Sequence, residues 1–201
     1  MKLTIIIPCY NEEEVLPWTL GKLAVLIERL KKETATDTRL LLVDDGSKDR
    51  TWELITEAAK AHDYVGGIKL SHNEGHQNAL WAGMQESVAT SDAIVSIDAD
   101  LQDDETAILD MARQVNEGKD IVYGVRKKRV TDTWFKRFTA QAFYRLMKSM
   151  DSEIVYNHAD FRMMTRRAVE ALMQYPERNL FLRGIVRPLG FREGFVYYDR
   201  R

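Results

Sequence analysis

Two acidic clusters, Asp44-Asp45-Gly46-Ser47 and Asp98-Ala99-Asp100, stand directly behind short apolar runs, Leu40-Leu41-Leu42-Val43 and Ala93-Ile94-Val95-Ser96-Ile97. Such runs read as buried strands, and the carboxyl edge of an open α/β sheet is where ligands bind. Carboxylates brought together there would repel and raise one another's pKa. A hard divalent ion, Mg²⁺ or Mn²⁺, would neutralise them and keep coordination positions for phosphate oxygens. The expectation is metal-assisted chemistry on a phosphate ester.

Each candidate has a plainer reading. In Pro8-Cys9-Tyr10-Asn11-Glu12, Tyr10 could stack on a base and Glu12 accept from ribose hydroxyls, while a turn with Asn11 as helix cap explains the same residues. A carboxylate of Asp44-Asp45 could accept a uracil ring N–H while Gly46 lets the backbone come close; the pair could equally be a turn. Asp98 and Asp100, two apart at an extended strand end, would point to one side and share a metal and a nucleotide, whereas Asp103 and Asp104 read as first-turn caps. For His72 and His76 a turn before a helix suffices. Cys9, the one cysteine, reads as a buried, inert thiol in a reducing compartment.

Between Arg126 and Lys148, eight basic residues face a lone Asp132, a local charge of +7 in a chain of net charge −2. That asymmetry calls for an anionic partner. Phe135, Phe138, Ala142, Phe143, Leu146 and Met150 share one helical face and Lys136, Arg137, Arg145 and Lys148 the other. The pattern suits an anionic membrane surface, and equally a helix packed on the core. Arg126 and Arg129, expected on a loop at the carboxylate edge, would clamp phosphate. Asp160-Phe161-Arg162 reads as surface ion pairs and Met163-Met164 as core.

The elements that would position these groups alternate. Strand-like runs at Leu3–Ile7, Leu40–Val43, Gly67–Leu70, Ala93–Ile97 and Asp120–Tyr123 interleave with helical patterns at Glu13–Lys32, Asp49–His62, Gln77–Ala89 and Glu105–Glu117. This predicts one α/β domain on a doubly wound, mainly parallel sheet. Asp49 or Ser47 would cap the second helix and Gly118 end the fourth. With 201 residues, 45% of them hydrophobic, the chain can bury a real core, and its acidic balance excludes nucleic acid as a first partner. The N-terminal apolar run is too short for a signal peptide, and no run reaches the ~18 residues of a membrane span, so the chain as given reads as soluble. Phe195-Val196-Tyr197-Tyr198 runs straight to the end with no closing element, which suggests truncation.

Taken in order, Pro8-x-Tyr10-Asn11-Glu12, Asp44-Asp45-Gly46-Ser47-x-Asp49, Asn73-x-Gly75, Asp98-Ala99-Asp100-Leu101-Gln102, Tyr123-Gly124-x-Arg126 and Asp160-Phe161-Arg162 resemble the second family of inverting glycosyltransferases. The nearest resemblance is to the polyprenyl-phosphate glycosyltransferases, which include bactoprenol glucosyltransferases and dolichol-phosphate mannose synthases. It implies a single GT-A domain, with residues 1–124 binding the nucleotide sugar and 125–201 the acceptor. Pro8, Tyr10, Glu12 and Asp44 would hold the nucleotide, with Asp98 on its ribose–phosphate side. Asp100 and Gln102 would hold Mg²⁺ or Mn²⁺ on the diphosphate. Arg126 and Arg129 would bind a polyprenyl phosphate, and Asp160 would lie near the reacting centre. UDP-glucose or UDP-N-acetylglucosamine is the favoured donor, and the family's usual C-terminal membrane helices would be missing. The implied location is the cytoplasmic face of the bacterial inner membrane, against an anionic surface, with homo-oligomers allowed.

The alternative enzyme keeps the donor but transfers to a sugar hydroxyl in polysaccharide synthesis. A phospho-receiver domain would want its acidic pair after the first strand, where Pro8-x-Tyr10-Asn11-Glu12 stands instead. A haloacid-dehalogenase-type phosphatase would want a hydroxyl residue soon after its Asp-x-Asp, where Leu101-Gln102 stands.

Overall fold

The computed structural model describes residues 1–127, 158–174 and 189–200, with no account of the side chains of 158–160. Among the described residues seven strands form one sheet, ordered from Val65–Lys69 through Asp37–Asp44, Lys2–Cys9, Ala93–Ser96, His158–Thr165 and Ile121–Arg126 to Glu193–Tyr198. β1 (Lys2–Cys9), β2 (Asp37–Asp44), β3 (Val65–Lys69) and β4 (Ala93–Ser96) run parallel, each linked to the next by a helix. β6 (His158–Thr165) enters antiparallel between β4 and β5 (Ile121–Arg126), and β7 (Glu193–Tyr198) closes the edge parallel to β5. This is a mainly parallel, Rossmann-like α/β architecture, and strands from both halves of the chain share the sheet.

Period-2 alternation in the central strands builds both faces: in β1, Ile5 and Ile7 join one core cluster while Ile6 joins the other. The first cluster packs α1 (Leu16–Thr34), α2 (Thr51–Ala61) and α4 (Ala107–Asn116) against the sheet. The second packs α3 (His76–Ser87) and α5 (Arg166–Met173) on the opposite face. In α1, Leu16, Thr19, Leu23, Leu26, Ile27 and Leu30 are buried at helical spacing, Pro17 sits in the first turn, and Ala35 at φ +51° ends the helix by donating to the Leu30 carbonyl.

Three details depart from the sequence pattern. α1 starts at Leu16 rather than Glu13, because the Glu12 carbonyl accepts Val15 N–H and Leu16 N–H in a preceding turn. α2 has no side-chain cap on its capping residue; instead Asp49 Oδ1 accepts both the N–H and the hydroxyl of Thr51. Arg162, expected in a surface ion pair, is buried at 1% exposure inside β6, next to Phe161 at 2%. Gly118 does follow α4, at φ +97°, and Met163 and Met164 are core residues.

Candidate active site

At the carboxyl edge, the loop after β1 and the loop after β2 are stitched together. Asn11 N–H donates to Ser47 Oγ at 2.9 Å, and Asn11 Oδ1 accepts from Lys48 N–H at 2.9 Å. Glu12 N–H donates to Thr51 Oγ1 at 2.8 Å, while Glu13 N–H donates to Asp49 Oδ2 and Arg50 N–H to Glu13 Oε2. Asn11 takes φ +56°, an αL conformation that asparagine tolerates, and the turn leaves Tyr10 41% exposed above buried Pro8 and Cys9. Burial holds the Cys9 thiol far above the usual range, with Glu12 and Asp44 adding to the effect, so it stays protonated and inert.

Asp44 ends β2 fully buried. Its Oδ1 accepts Ser47 N–H at 3.0 Å, and its Oδ2 has no hydrogen-bond partner among the described residues. A buried carboxylate oxygen without a donor is costly unless a ligand supplies one, which is what a nucleobase N–H would do. Asp45 is committed elsewhere: its two oxygens accept Glu74 N–H at 2.7 Å and Gly75 N–H at 2.9 Å, tying the loop before α3 to the site. Gly46, at φ +70°, lies under that loop, and any Cβ there would come within 2.6–2.8 Å of His72 and Asn73 backbone.

The Asp98–Gln102 segment is a turn, not the extended strand end expected from spacing, since β4 closes at Ser96 and Leu101 takes φ +45°. Ala99 and Leu101 are buried, Asp100 and Gln102 exposed, and the Asp98 side chain is 49% exposed, 3.8 Å from His76 Nε2. Asp100 Oδ1 accepts Gln102 N–H, and Thr19 of α1 donates its hydroxyl to the Ala99 carbonyl. Asp104 behaves as the sequence suggests, accepting the N–H and hydroxyl of Thr106. Asp103 does not: it is 1% exposed and takes a bidentate pair from Arg126, Nε at 2.7 Å and Nη2 at 3.1 Å. That bond, helped by the Asp103 charge, raises the Arg126 pKa despite partial burial.

Glu12 is raised above the ordinary carboxylate range, first by burial and then by Asp100, Asp49 and Asp98. Among the described residues no three His, Cys, Asp or Glu side chains gather tightly enough to cage an ion. The donor set instead fits Mg²⁺ or Mn²⁺ held by one or two carboxylates and by oxygens of a substrate. Arg129 and the basic segment from 128 to 150 lie outside the described residues. Asp160 lies in β6, two residues toward the carboxyl edge from Arg162, which is registered against Ser96.

Residues 4–173 match the sequence profile of Glycosyl transferase family 2. The chain belongs to that family. It is 52% identical over 201 residues to the uncharacterized glycosyltransferase YkoT of Bacillus subtilis (strain 168), covering 99% of this chain and 60% of the relative. It is 37% identical to the prophage bactoprenol glucosyl transferase homolog of Escherichia coli (strain K12), over all of this chain and 64% of that protein. It thus spans under two thirds of the length of these relatives. Among solved structures, glucosyl-3-phosphoglycerate synthase from Mycobacterium tuberculosis, in complex with Mn²⁺, UDP-glucose and phosphoglyceric acid, superposes with a TM-score of 0.59 at 14% identity. That match covers 100% of this chain and 72% of that one.

Sequence reasoning missed Asp45 as the tie to the α3 loop, Asp103 as the partner of Arg126, and Ser47, Asp49 and Thr51 as the stitch between loops. Each partner lies 23 to 39 residues away along the chain, beyond the reach of turn signals.

Proposed function

We propose that this family 2 glycosyltransferase moves a sugar from UDP-glucose or UDP-N-acetylglucosamine to a polyprenyl phosphate, with inversion and with Mg²⁺ or Mn²⁺. The observation that carries the reading is the cluster of Glu12, Asp98 and Asp100 beside the orphaned oxygen of Asp44 at the carboxyl edge. Such a set suits a cation, a diphosphate and a nucleobase together. The bactoprenol name of the relative at 37% identity supports the acceptor, and the Mn²⁺ and UDP-glucose of the structural neighbour support the donor side.

In this reading Asp44 accepts the uracil N–H, Tyr10 stacks on the base beside Pro8, and Glu12 and Asp98 take ribose hydroxyls. Asp100, with Gln102, would hold the metal, which supplies charge neutralisation on the departing diphosphate. Arg126 and Arg129 meet the acceptor phosphate. A phosphate monoester, second pKa ~6, is largely dianionic at neutral pH and attacks the anomeric carbon from the opposite face with little help from a base. Asp160 orients groups or offsets positive charge in the oxocarbenium-like state. Among the described residues no helix is long and apolar enough to cross a membrane, and we place the protein at the cytoplasmic face of the bacterial inner membrane through its basic segment.

The test incubates the protein with radiolabelled UDP-sugars and Mn²⁺, with polyprenyl phosphate in anionic vesicles or with an oligosaccharide in its place. Label extracted with the lipid supports the proposal; label passing only to the oligosaccharide favours a hydroxyl acceptor. Sedimentation with anionic but not neutral vesicles, loosened by salt, is expected of the basic segment, and equal sedimentation with both would remove the membrane role.

A further inference from the structure

Asp103, Arg126 and Tyr198 bring three distant parts of the chain to one point. Asp103 lies three residues beyond Asp100, Arg126 closes β5, and Tyr198 closes β7. The pair is bidentate, and the Asp103 side chain is almost wholly buried. Tyr198 is 4% exposed, its ring meets Phe161 edge-on at 5.3 Å, and its carbonyl accepts Lys127 N–H at 2.9 Å, just where the chain leaves β5 for the basic segment. Its buried hydroxyl faces both Asp103 and Arg126. Burial, then the neighbouring Asp103, hold that phenol well above its ordinary pKa, so it remains neutral.

Stability alone is a weak reason for such a pair. A buried carboxylate is costly to desolvate, and apolar residues of similar volume serve packing equally well. What a bidentate pair adds is a fixed position. The turn that carries Asp100 is held at Ala99 by the Thr19 hydroxyl, at Leu101 by burial and at Asp103 by Arg126, so that the exposed Asp100 and Gln102 stand between anchors.

We infer that Asp103 is a positioning residue that, through its bidentate pair with Arg126, holds the Asp98–Gln102 turn where Asp100 can meet a metal-bound diphosphate, with Tyr198 closing the pair from the β7 side. This rests on the function proposed above. Because Arg126 also begins the acceptor segment, the same guanidinium couples that segment to the metal turn. Asp103 acts through Arg126 and touches no substrate.

The experiment titrates UDP by calorimetry in Mn²⁺ and in EDTA for the unmutated chain, Asp103→Asn, Arg126→Gln, the double variant and Tyr198→Phe, with melting followed in parallel. Each charge-removing single is expected to weaken UDP binding in Mn²⁺ by about 10-fold, the lower end for residues that orient metal ligands, and to leave binding in EDTA unchanged. The double variant should be no weaker than either single, since both break one unit. Tyr198→Phe, which keeps the ring and its packing, should produce a smaller loss of the same kind. Variants that melt lower yet bind UDP–Mn²⁺ as the unmutated chain does would reduce the pair to a structural role and overturn the inference. So would a loss confined to Arg126→Gln, which would make that guanidinium a direct contact. An unmutated chain whose UDP affinity ignores Mn²⁺ would instead overturn the functional reading, and this inference with it.

Discussion

At the carboxyl edge of the sheet Glu12 is surrounded by like charge from Asp100, Asp49 and Asp98, whereas at the amino edge Asp120 is surrounded by Arg167 and Arg192. Both are acidic side chains beside strand ends of one sheet. Asp120 accepts from the Arg167 guanidinium through both oxygens, from Arg192, and from Thr165 where β6 ends. The Arg167 hydrogen bonds, outweighing burial, hold its pKa below the usual range, while Glu12 is pushed above it. A carboxylate completed by the protein's own cations fastens α5 and β7 to the sheet. Glu12, which burial and three acidic neighbours hold above its ordinary pKa, is unfinished until a cation and a ligand arrive.

The largest separation between the edges should come from Asp120→Asn. It removes the charge that two arginines share at a buried carboxylate, and should cost about 1–3 kcal/mol at pH 7. Nucleotide affinity should not change. The sign with pH follows from the lowered native pKa: the stabilisation is fully present above the unfolded value near 3.9 and is lost as pH falls through the native one. The gap in denaturant midpoint between the two proteins should therefore close below about pH 4, and a gap that stays constant there would show that Asp120 acts by packing.

Asp100→Asn should do the reverse. The side chain is exposed, so melting should move little. UDP affinity in Mn²⁺ should fall at least ~10-fold, about 1.4 kcal/mol, while affinity in EDTA stays put. Calorimetry giving equal UDP affinities for the two proteins in Mn²⁺ would dissolve the contrast between the edges at its most important residue.

The carboxyl-edge half of this contrast was legible in the sequence. The apolar runs before Asp44 and Asp98 are strands by period and length, so the edge on which the carboxylates emerge follows from the order of elements. What was not legible depends on partners far along the chain. In β6 the two methionines read as core, but Asp160-Phe161-Arg162 reads as surface until β4 and β5 bracket the strand and bury Arg162. Asp103 reads as a cap beside Asp104, and only the return of β5 supplies Arg126. The Asp98–Gln102 turn depends on Leu101 at positive φ, which leucine does not advertise.

The smallest expected effect is at Glu12 itself, and it tests the repulsion directly. If Glu12 is raised because burial and three acidic neighbours disfavour its charge, then its ionisation destabilises the metal-free fold, and Glu12→Gln should stabilise it in EDTA at pH 7. The group is partly solvated, so the gain should stay under about 1 kcal/mol after screening. The native state binds the proton more tightly than the unfolded chain, so the penalty is present above the native pKa and disappears as pH falls to the unfolded value near 4.3. The advantage of the variant should shrink over that descent, the opposite origin from the Asp120 case although both gaps close in acid: there the unmutated protein loses a favourable interaction, here it sheds an unfavourable one. Saturating Mn²⁺ at pH 7 should also erase the advantage, because a cation at Asp100 offsets part of the charge that Glu12 meets. A variant less stable than the unmutated chain in EDTA at pH 7 would mean that Glu12 works as a structural hydrogen-bonding group of the β1 loop, and that the carboxyl edge is finished by the protein alone.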